Sequence, residues 1–358
     1  MPTPSPTVGP ASEPVRPTSC DDRTILTWSW QRQLAAALRT PSDLLSALGL
    51  PADVPEGGLA AAAEFPVLVP HSFLFRMEKG NRDDPLLRQV LAVKDEQLSP
   101  PGFRADPVGD QFAERAPGML HKYHGRVLLI TTGTCAVHCR YCFRRHYPYV
   151  EAPHRPDEWE PAFREIEADQ SVEEVILSGG DPLVLSDERL ASLWSRLESI
   201  PHVQRVRIHS RLPIVLPARV TDRLLDLLRG SRLQSIVVVH ANHARELEGD
   251  CGIALRQLTS RGGIMVLNQA VLLAGVNDTV AALETLSQSL IRLGVIPYYL
   301  HQLDRVLGAA HFEVAVARGL ELMESLRVRL PGYAIPQYVR EVPGELSKQP
   351  LWNVPSAG

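Results

Sequence analysis

The feature that most restricts how this chain folds is a rhythm that begins beyond residue 120. Apolar, β-branched runs recur at 127–132, 175–178, 206–209, 236–240, 264–267 and 295–300. Amphipathic stretches such as 187–197, 221–228 and 279–293 separate most of them. Strands alternating with helices predict a parallel sheet, because a parallel connection needs a crossover long enough to hold a helix. Six such units over about two hundred residues fit an open partial (β/α)6 barrel better than a closed eight-stranded one. Polar residues gather just after the runs: cysteines after the first, Gly179-Gly180-Asp181 after the second, His209-Ser210-Arg211 after the third, and His240, Asn242 and His243 after the fourth. Asn268 and Gln269 follow the fifth; His301, Gln302 and Asp304 follow the sixth. A parallel barrel carries its site at the carboxyl ends of its strands, so sequence rhythm and chemistry point to one place.

Upstream the pattern changes. Residues 1–22 are rich in Pro, Ser and Thr, lack a basic start followed by an apolar run, and are expected to form a flexible tail rather than a signal peptide. The spacing of Leu34, Leu38, Leu44, Leu45 and Leu48 predicts helices, with Pro41-Ser42-Asp43 marking the end of one and the start of the next. The expected organisation is a tail at 1–22, a mainly helical region at 23–120, the barrel at 121–330 and a C-terminal segment at 331–358. A net charge of −4 gives no reason to expect nucleic acid, and no stretch is long enough to span a membrane. Five cysteines in 358 residues do not make a disulfide scaffold. Cys20 and Cys251 read as free thiols, and a cytoplasmic setting with low-potential electron donors is expected.

Cys135, Cys139 and Cys142 have the spacing C-x-x-x-C-x-x-C on a loop after a strand. Thiolates are the usual ligands of iron–sulfur clusters, and three of them around a four-iron cluster leave one iron open. An open iron can chelate the amino and carboxylate groups of S-adenosylmethionine (SAM), as in radical SAM enzymes, where an aromatic residue such as Tyr141 precedes the last cysteine. The competing reading is a non-catalytic zinc module with His138 or His146 as fourth ligand, although structural zinc more often shows paired C-x-x-C hairpins. Gly179-Gly180-Asp181-Pro182 alone is an ordinary strand-to-helix turn. Behind the cysteine motif it is expected to receive the amino group of SAM.

The runs Cys139-Arg140-Tyr141-Cys142-Phe143-Arg144-Arg145-His146, Arg207-Ile208-His209-Ser210-Arg211-Leu212-Pro213 and His240-Ala241-Asn242-His243 resemble the lysine 2,3-aminomutase family of radical SAM enzymes. Tyr299-Leu300-His301-Gln302-Leu303-Asp304 and Pro343-Gly344-Glu345-Leu346-Ser347-Lys348 resemble its branch linked to β-lysine modification of elongation factor P. The likeness covers most of residues 27–351. It implies an isomerase that also uses pyridoxal 5′-phosphate, held covalently by Lys348, which read alone is a solvated surface lysine. It implies that Arg144 pairs with the substrate carboxylate and that Asp304, with Glu341, receives the ε-ammonium of L-lysine. Glu341 stands where the family pattern has aspartate, so the length of the pocket departs from that pattern. Lys122 and Arg126 are expected to anchor the cofactor phosphate; His240, Asn242 and Gln269 are expected to line the SAM pocket. Each acid and arginine has an ordinary alternative in a surface ion pair. Nothing after Cys251 is a cysteine, which favours the branch linked to elongation factor P and its partner ligase over zinc-joined catabolic enzymes. A homo-oligomer is compatible with all of this. The remaining readings are an aminomutase acting on free lysine or another amino acid for catabolism or secondary metabolism, and a radical SAM enzyme acting on RNA, for which Lys348 has no use.

Overall fold

The computed structural model describes residues 23–54, 56–153 and 155–352. The expected tail and Cys20 lie outside them. Ten strands form one sheet in chain order. They are β1 (Glu114–Ala116), β2 (Met119–Tyr123), β3 (Arg126–Thr132), β4 (Glu174–Gly179), β5 (Arg205–Ser210), β6 (Gln234–Val239), β7 (Met265–Val271), β8 (Ile296–His301), β9 (Gln337–Arg340) and β10 (Gln349–Pro350). The run from β3 to β9 is parallel throughout. β1 and β2 add antiparallel strands at one edge, and β10 pairs antiparallel with β9 at the other. The two edges do not pair, so the barrel is open.

The six expected strands are β3 to β8. β9 is a seventh parallel strand, and it carries the sheet across the boundary drawn at residue 330. Four residues are too few for a periodic signal, and β9 is placed by its register with β8. The barrel helices begin where side-chain oxygens can cap them. Ser186, Thr221 and Thr279 accept from Arg189, Leu224 and Ala282 N–H groups at the starts of Asp187–Glu198, Asp222–Arg229 and Val280–Arg292. In the N-terminal region Thr40 caps Pro41–Ala47 with Pro41 in its first turn, and the earlier helix Trp30–Ala35 stops before it, at the C-cap Ala36. One cluster of buried side chains runs from Trp30 to Tyr338, so the N-terminal region shares its core with the barrel.

The period-two alternation of the strands builds the site. In β5, Val206, Ile208 and Ser210 are buried against the helical layer, while Arg207 and His209 are half-buried and face the barrel interior. Gln269 in β7 and Tyr299 and His301 in β8 take the same inward phase. Two side chains also bridge the opening between the sheet's edges. Tyr123 of β2 donates from its hydroxyl to Glu341 Oε1 just past β9 (2.6 Å), and Lys122 Nζ lies 3.6 Å from the same oxygen. Among the described residues no helix is long and apolar enough to cross a membrane.

Candidate active site

The interior forms a cavity of about 680 Å3 lined by the three cysteines and by Lys348, Asp304 and Glu341. Its volume is typical of a ligand site.

The cysteine loop leaves β3 at Thr132 and is docked by the end of β4. Gly180 N–H donates to Thr132 O (2.7 Å), and Asp181 N–H donates to Thr134 O (2.8 Å). A Cβ on Gly180 would stand 2.4 Å from the Thr134 carbonyl oxygen, and one on Gly179, at φ +112°, 2.7 Å from that of Thr132. These glycines therefore admit a neighbouring backbone while their own backbone lines the cavity. Asp181 also lines the cavity, but its side chain is engaged by the protein. Its carboxylate accepts from Ser210 Oγ (2.7 Å), Arg211 N (2.7 Å), Leu183 N (3.1 Å) and Leu212 N (3.2 Å). Burial pushes it up to about 6 against the pull of those donors. With four donors already on it, the carboxylate braces β4 against β5 and has no capacity left for an incoming amine.

Burial, with repulsion from Cys142, Asp181 and Cys139, pushes the Cys135 thiol well up; burial and Cys139 push Cys142 up to about 11. Cys135 and Cys142 therefore ionise only beside strong positive charge, as an iron–sulfur core supplies. Among the described residues no three His, Cys, Asp or Glu side chains converge on one ion. A four-iron cluster makes no such demand, since each thiolate binds a different iron. The donor set thus fits a cluster. Behind the loop, Glu96 accepts from Arg140 Nε (2.8 Å), Arg140 Nη2 (2.5 Å) and Arg145 Nη2 (2.9 Å), a buried ion triad that fixes the cysteines' backbone. His138 and His146 turn instead to backbone carbonyls, those of Pro66 and Leu307.

Lys348, on the loop before β10, pairs with Glu341 Oε2. Glu341 also accepts from Tyr123, so in the absence of substrate it is engaged by two protein donors. Lys122 is similarly occupied, donating to Asp110 Oδ1 and to the Val108 carbonyl. Arg126 lies against the Tyr123 ring (4.8 Å) and has no carboxylate partner among the described residues. Arg144 is buried, with Nε on Asp110 Oδ2 (2.7 Å) and Nη1 on Ser178 Oγ (3.0 Å). Burial opposes its charge, but Asp110 beside it prevails and raises its pKa. The Asp110 carboxyl, opposed by burial but shared by Arg144 and Lys122, falls to about 2.

Asp304 behaves in the opposite way. Its carboxylate accepts no hydrogen bond from the described residues, and burial raises it to about 7. Lys348 and Lys122 draw it down, while Glu341 and Asp110 push it up.

His209, His240 and His301 also line the cavity. Burial lowers all three, His240 to about 4, so they stand neutral. His209 Nε2 and Arg207 Nε are buried without a partner, a cost that a polar ligand in the cavity removes. The Gln269 side chain also lines the cavity and makes no hydrogen bond with the described residues. The amine of Lys348, the unpaired Arg126 and these orphaned donors suit a phosphorylated pyridine and a nucleoside. Asn242 lines the cavity as well. Its amide nitrogen donates to Gln89 Oε1 (2.9 Å) and Tyr141 Oη (2.6 Å) and its oxygen accepts from Val271 N, so the protein itself fixes its amide.

Sequence reasoning missed Asp110 and the Arg211–Glu246–Gln89 group. Asp110 sits in an irregular, Pro-rich stretch with no pattern to flag it. Arg211 stands inside a motif, but its partners come from residues 89 and 246.

A family model described as the radical SAM superfamily matches residues 129–264, which include all three cysteines. The chain is 47% identical over 323 residues to the L-lysine 2,3-aminomutase of Escherichia coli (strain K12), covering 90% of this chain and 94% of that protein. It is 44% identical over 320 residues to the L-lysine 2,3-aminomutase of Haemophilus influenzae, covering 89% and 94%. With that of Clostridium subterminale the identity is 33% over 324 residues, covering 90% and 77%.

Proposed function

The chain belongs to the lysine 2,3-aminomutase family of radical SAM enzymes, and from that premise we propose that it converts L-lysine to β-lysine. It is an isomerase whose cofactors are a 4Fe–4S cluster, SAM and pyridoxal phosphate. The observation that carries the proposal is a single cavity lined by three thiols together with Lys348, Arg126 and the unpartnered carboxylate of Asp304. When bound, the cluster and SAM supply a carbon radical that takes hydrogen from the substrate, and pyridoxal phosphate supplies the π-system across which nitrogen migrates.

The protein's own residues bind and orient. Cys135, Cys139 and Cys142 hold the cluster. Arg144 meets the substrate carboxylate with the N–H groups that Asp110 and Ser178 leave over. Asp304 receives the ε-ammonium. Lys348 Nζ carries the pyridoxal phosphate, and Glu341 is placed to accept the proton that Nζ must lose before it can react. Once Lys348 lets go of it, Glu341 becomes a second acid for the ammonium. Arg126 is the better phosphate anchor, because Lys122 shares its charge with two acids. His240, Asn242 and Gln269 line the SAM side of the cavity.

The product is (R)-β-lysine, made in the cytoplasm with electrons from a low-potential donor and passed through a partner ligase to elongation factor P. The likeness of residues 299–304 and 343–348 to that branch supports this. The test is anaerobic reconstitution with iron, sulfide and pyridoxal phosphate, then SAM, dithionite and L-lysine, with chiral chromatography of the product. (R)-β-Lysine from the wild type, and none from Cys139→Ala or Lys348→Ala, is expected. Deoxyadenosine without β-lysine would sink the substrate; the (S) product would sink the link to elongation factor P.

A further inference from the structure

Arg211 follows β5 and reaches the cysteine loop from across the cavity. Its Nη1 donates to Cys139 Sγ (2.6 Å), and its Nη2 donates to Gln89 Oε1 (2.6 Å) and Glu246 Oε2 (3.0 Å). Its backbone N–H is held by Asp181. The guanidinium lies 5.5 Å from the ring centroids of both Tyr141 and Phe73. Glu246 is itself immobilised. It is fully buried and accepts from Gln89 Nε2 (2.9 Å), Asn242 N (2.9 Å) and His243 N (3.0 Å). The fold therefore pins a cation, with its counter-charge behind it, against one chosen thiol. The Nε of Arg211 is buried without a protein partner, so the fold alone does not satisfy this side chain.

We propose that Arg211, fixed by Glu246, is a positioning residue that acts through Cys139 and raises the reduction potential of the cluster held there. The proposal rests on the cysteines holding that cluster. A charge-assisted donor to a ligand sulfur withdraws electron density from the thiolate and so favours the added electron. Glu246 works the other way, since its negative charge partly cancels the guanidinium's. Both groups are buried, where their fields are weakly screened. Arg211 eases the one-electron reduction of the cluster by a low-potential donor, and Glu246 keeps the reduced cluster reactive toward SAM.

The two charges give the test opposite signs. Holoprotein reconstituted under anaerobic conditions is titrated with a graded reductant without SAM, and the reduced cluster is counted by electron paramagnetic resonance, with iron content measured beside it. Arg211→Gln is expected to lower the reduction equilibrium constant about tenfold, ~59 mV for one electron. Arg211→Lys is expected to recover part of that, and Glu246→Gln to shift it upward. A full cluster with an unmoved potential in Arg211→Gln overturns the proposal, as do Arg211→Gln and Glu246→Gln shifting in one direction. If Arg211→Gln holds no iron, Glu246→Gln decides: a raised potential supports the proposal and an unchanged one overturns it. A wild type that binds no iron overturns the cysteine reading as well.

Discussion

Replacing Asp304 by asparagine tests how the site tells lysine from other amino acids. The Asp304 carboxyl stands at about 7, because burial outweighs the two lysines beside it. Only its ionised form attracts an ammonium. At pH 6 about one molecule in ten carries that form, and at pH 8 about nine in ten. Apparent affinity scales with the competent fraction, so KM for lysine is expected to rise about tenfold from pH 8 to pH 6. When Lys348 gives its charge up to the cofactor, a cation that favours ionisation is lost, and the midpoint moves above 7 rather than below. Asp304→Asn leaves the ammonium without its counter-charge at an estimated ~2–5 kcal/mol, about thirtyfold or more in KM, and it abolishes the pH trend. L-Norleucine, which is lysine without its ε-amino group, should inhibit the wild type better as pH falls. The assay is the initial rate of β-lysine formation under anaerobic conditions across pH 6–8. A flat KM in the wild type, or a wild-type KM in the variant, would refute the reasoning.

Further outcomes follow from other contacts. Lys348→Ala is expected to lose the visible absorbance of bound pyridoxal phosphate and all β-lysine formation while keeping its full iron content; retained absorbance would remove Lys348 from its role. Gly180→Ala forces a methyl group against the Thr134 carbonyl, at a cost of about 1–3 kcal/mol, and should impair iron uptake; a variant with the wild-type urea midpoint and iron content would contradict that packing. Glu96→Ala leaves Arg140 and Arg145 buried without their shared counter-charge, at about 3–5 kcal/mol, so its urea midpoint should fall well below that of the wild type.

The legible parts of the molecule are those written as local patterns. β3 to β8 announce themselves because each is a β-branched run long enough to show, and Ser186, Thr221 and Thr279 mark helix starts by their own chemistry. The cysteine spacing is local too. β9 escaped notice because four residues hold too little pattern. Asp110 and Glu246 could not be read because each owes its meaning to partners far along the chain: Asp110 to Lys122 and Arg144, Glu246 to Gln89 and Arg211. Glu341 shows a subtler limit. The motif marks it as an acid at the pocket, but only the fold reveals that Tyr123 and Lys348 already hold it.

Because no backbone ladder joins β2 to β9, the barrel is fastened there by a clasp of Tyr123, Lys122 and Glu341, whose two charged members face the cavity. A closed barrel keeps its wall and its contents energetically separate. Here the fastening shares Glu341 with the proposed guest, because an ammonium bound there competes with Tyr123 and Lys122 for the same carboxylate. Occupancy and the breathing of the seam are thereby one equilibrium, in which filling the site retunes how readily the strands at its two edges part. Amide exchange along β2 and β9 is then expected to differ between the empty and the filled site.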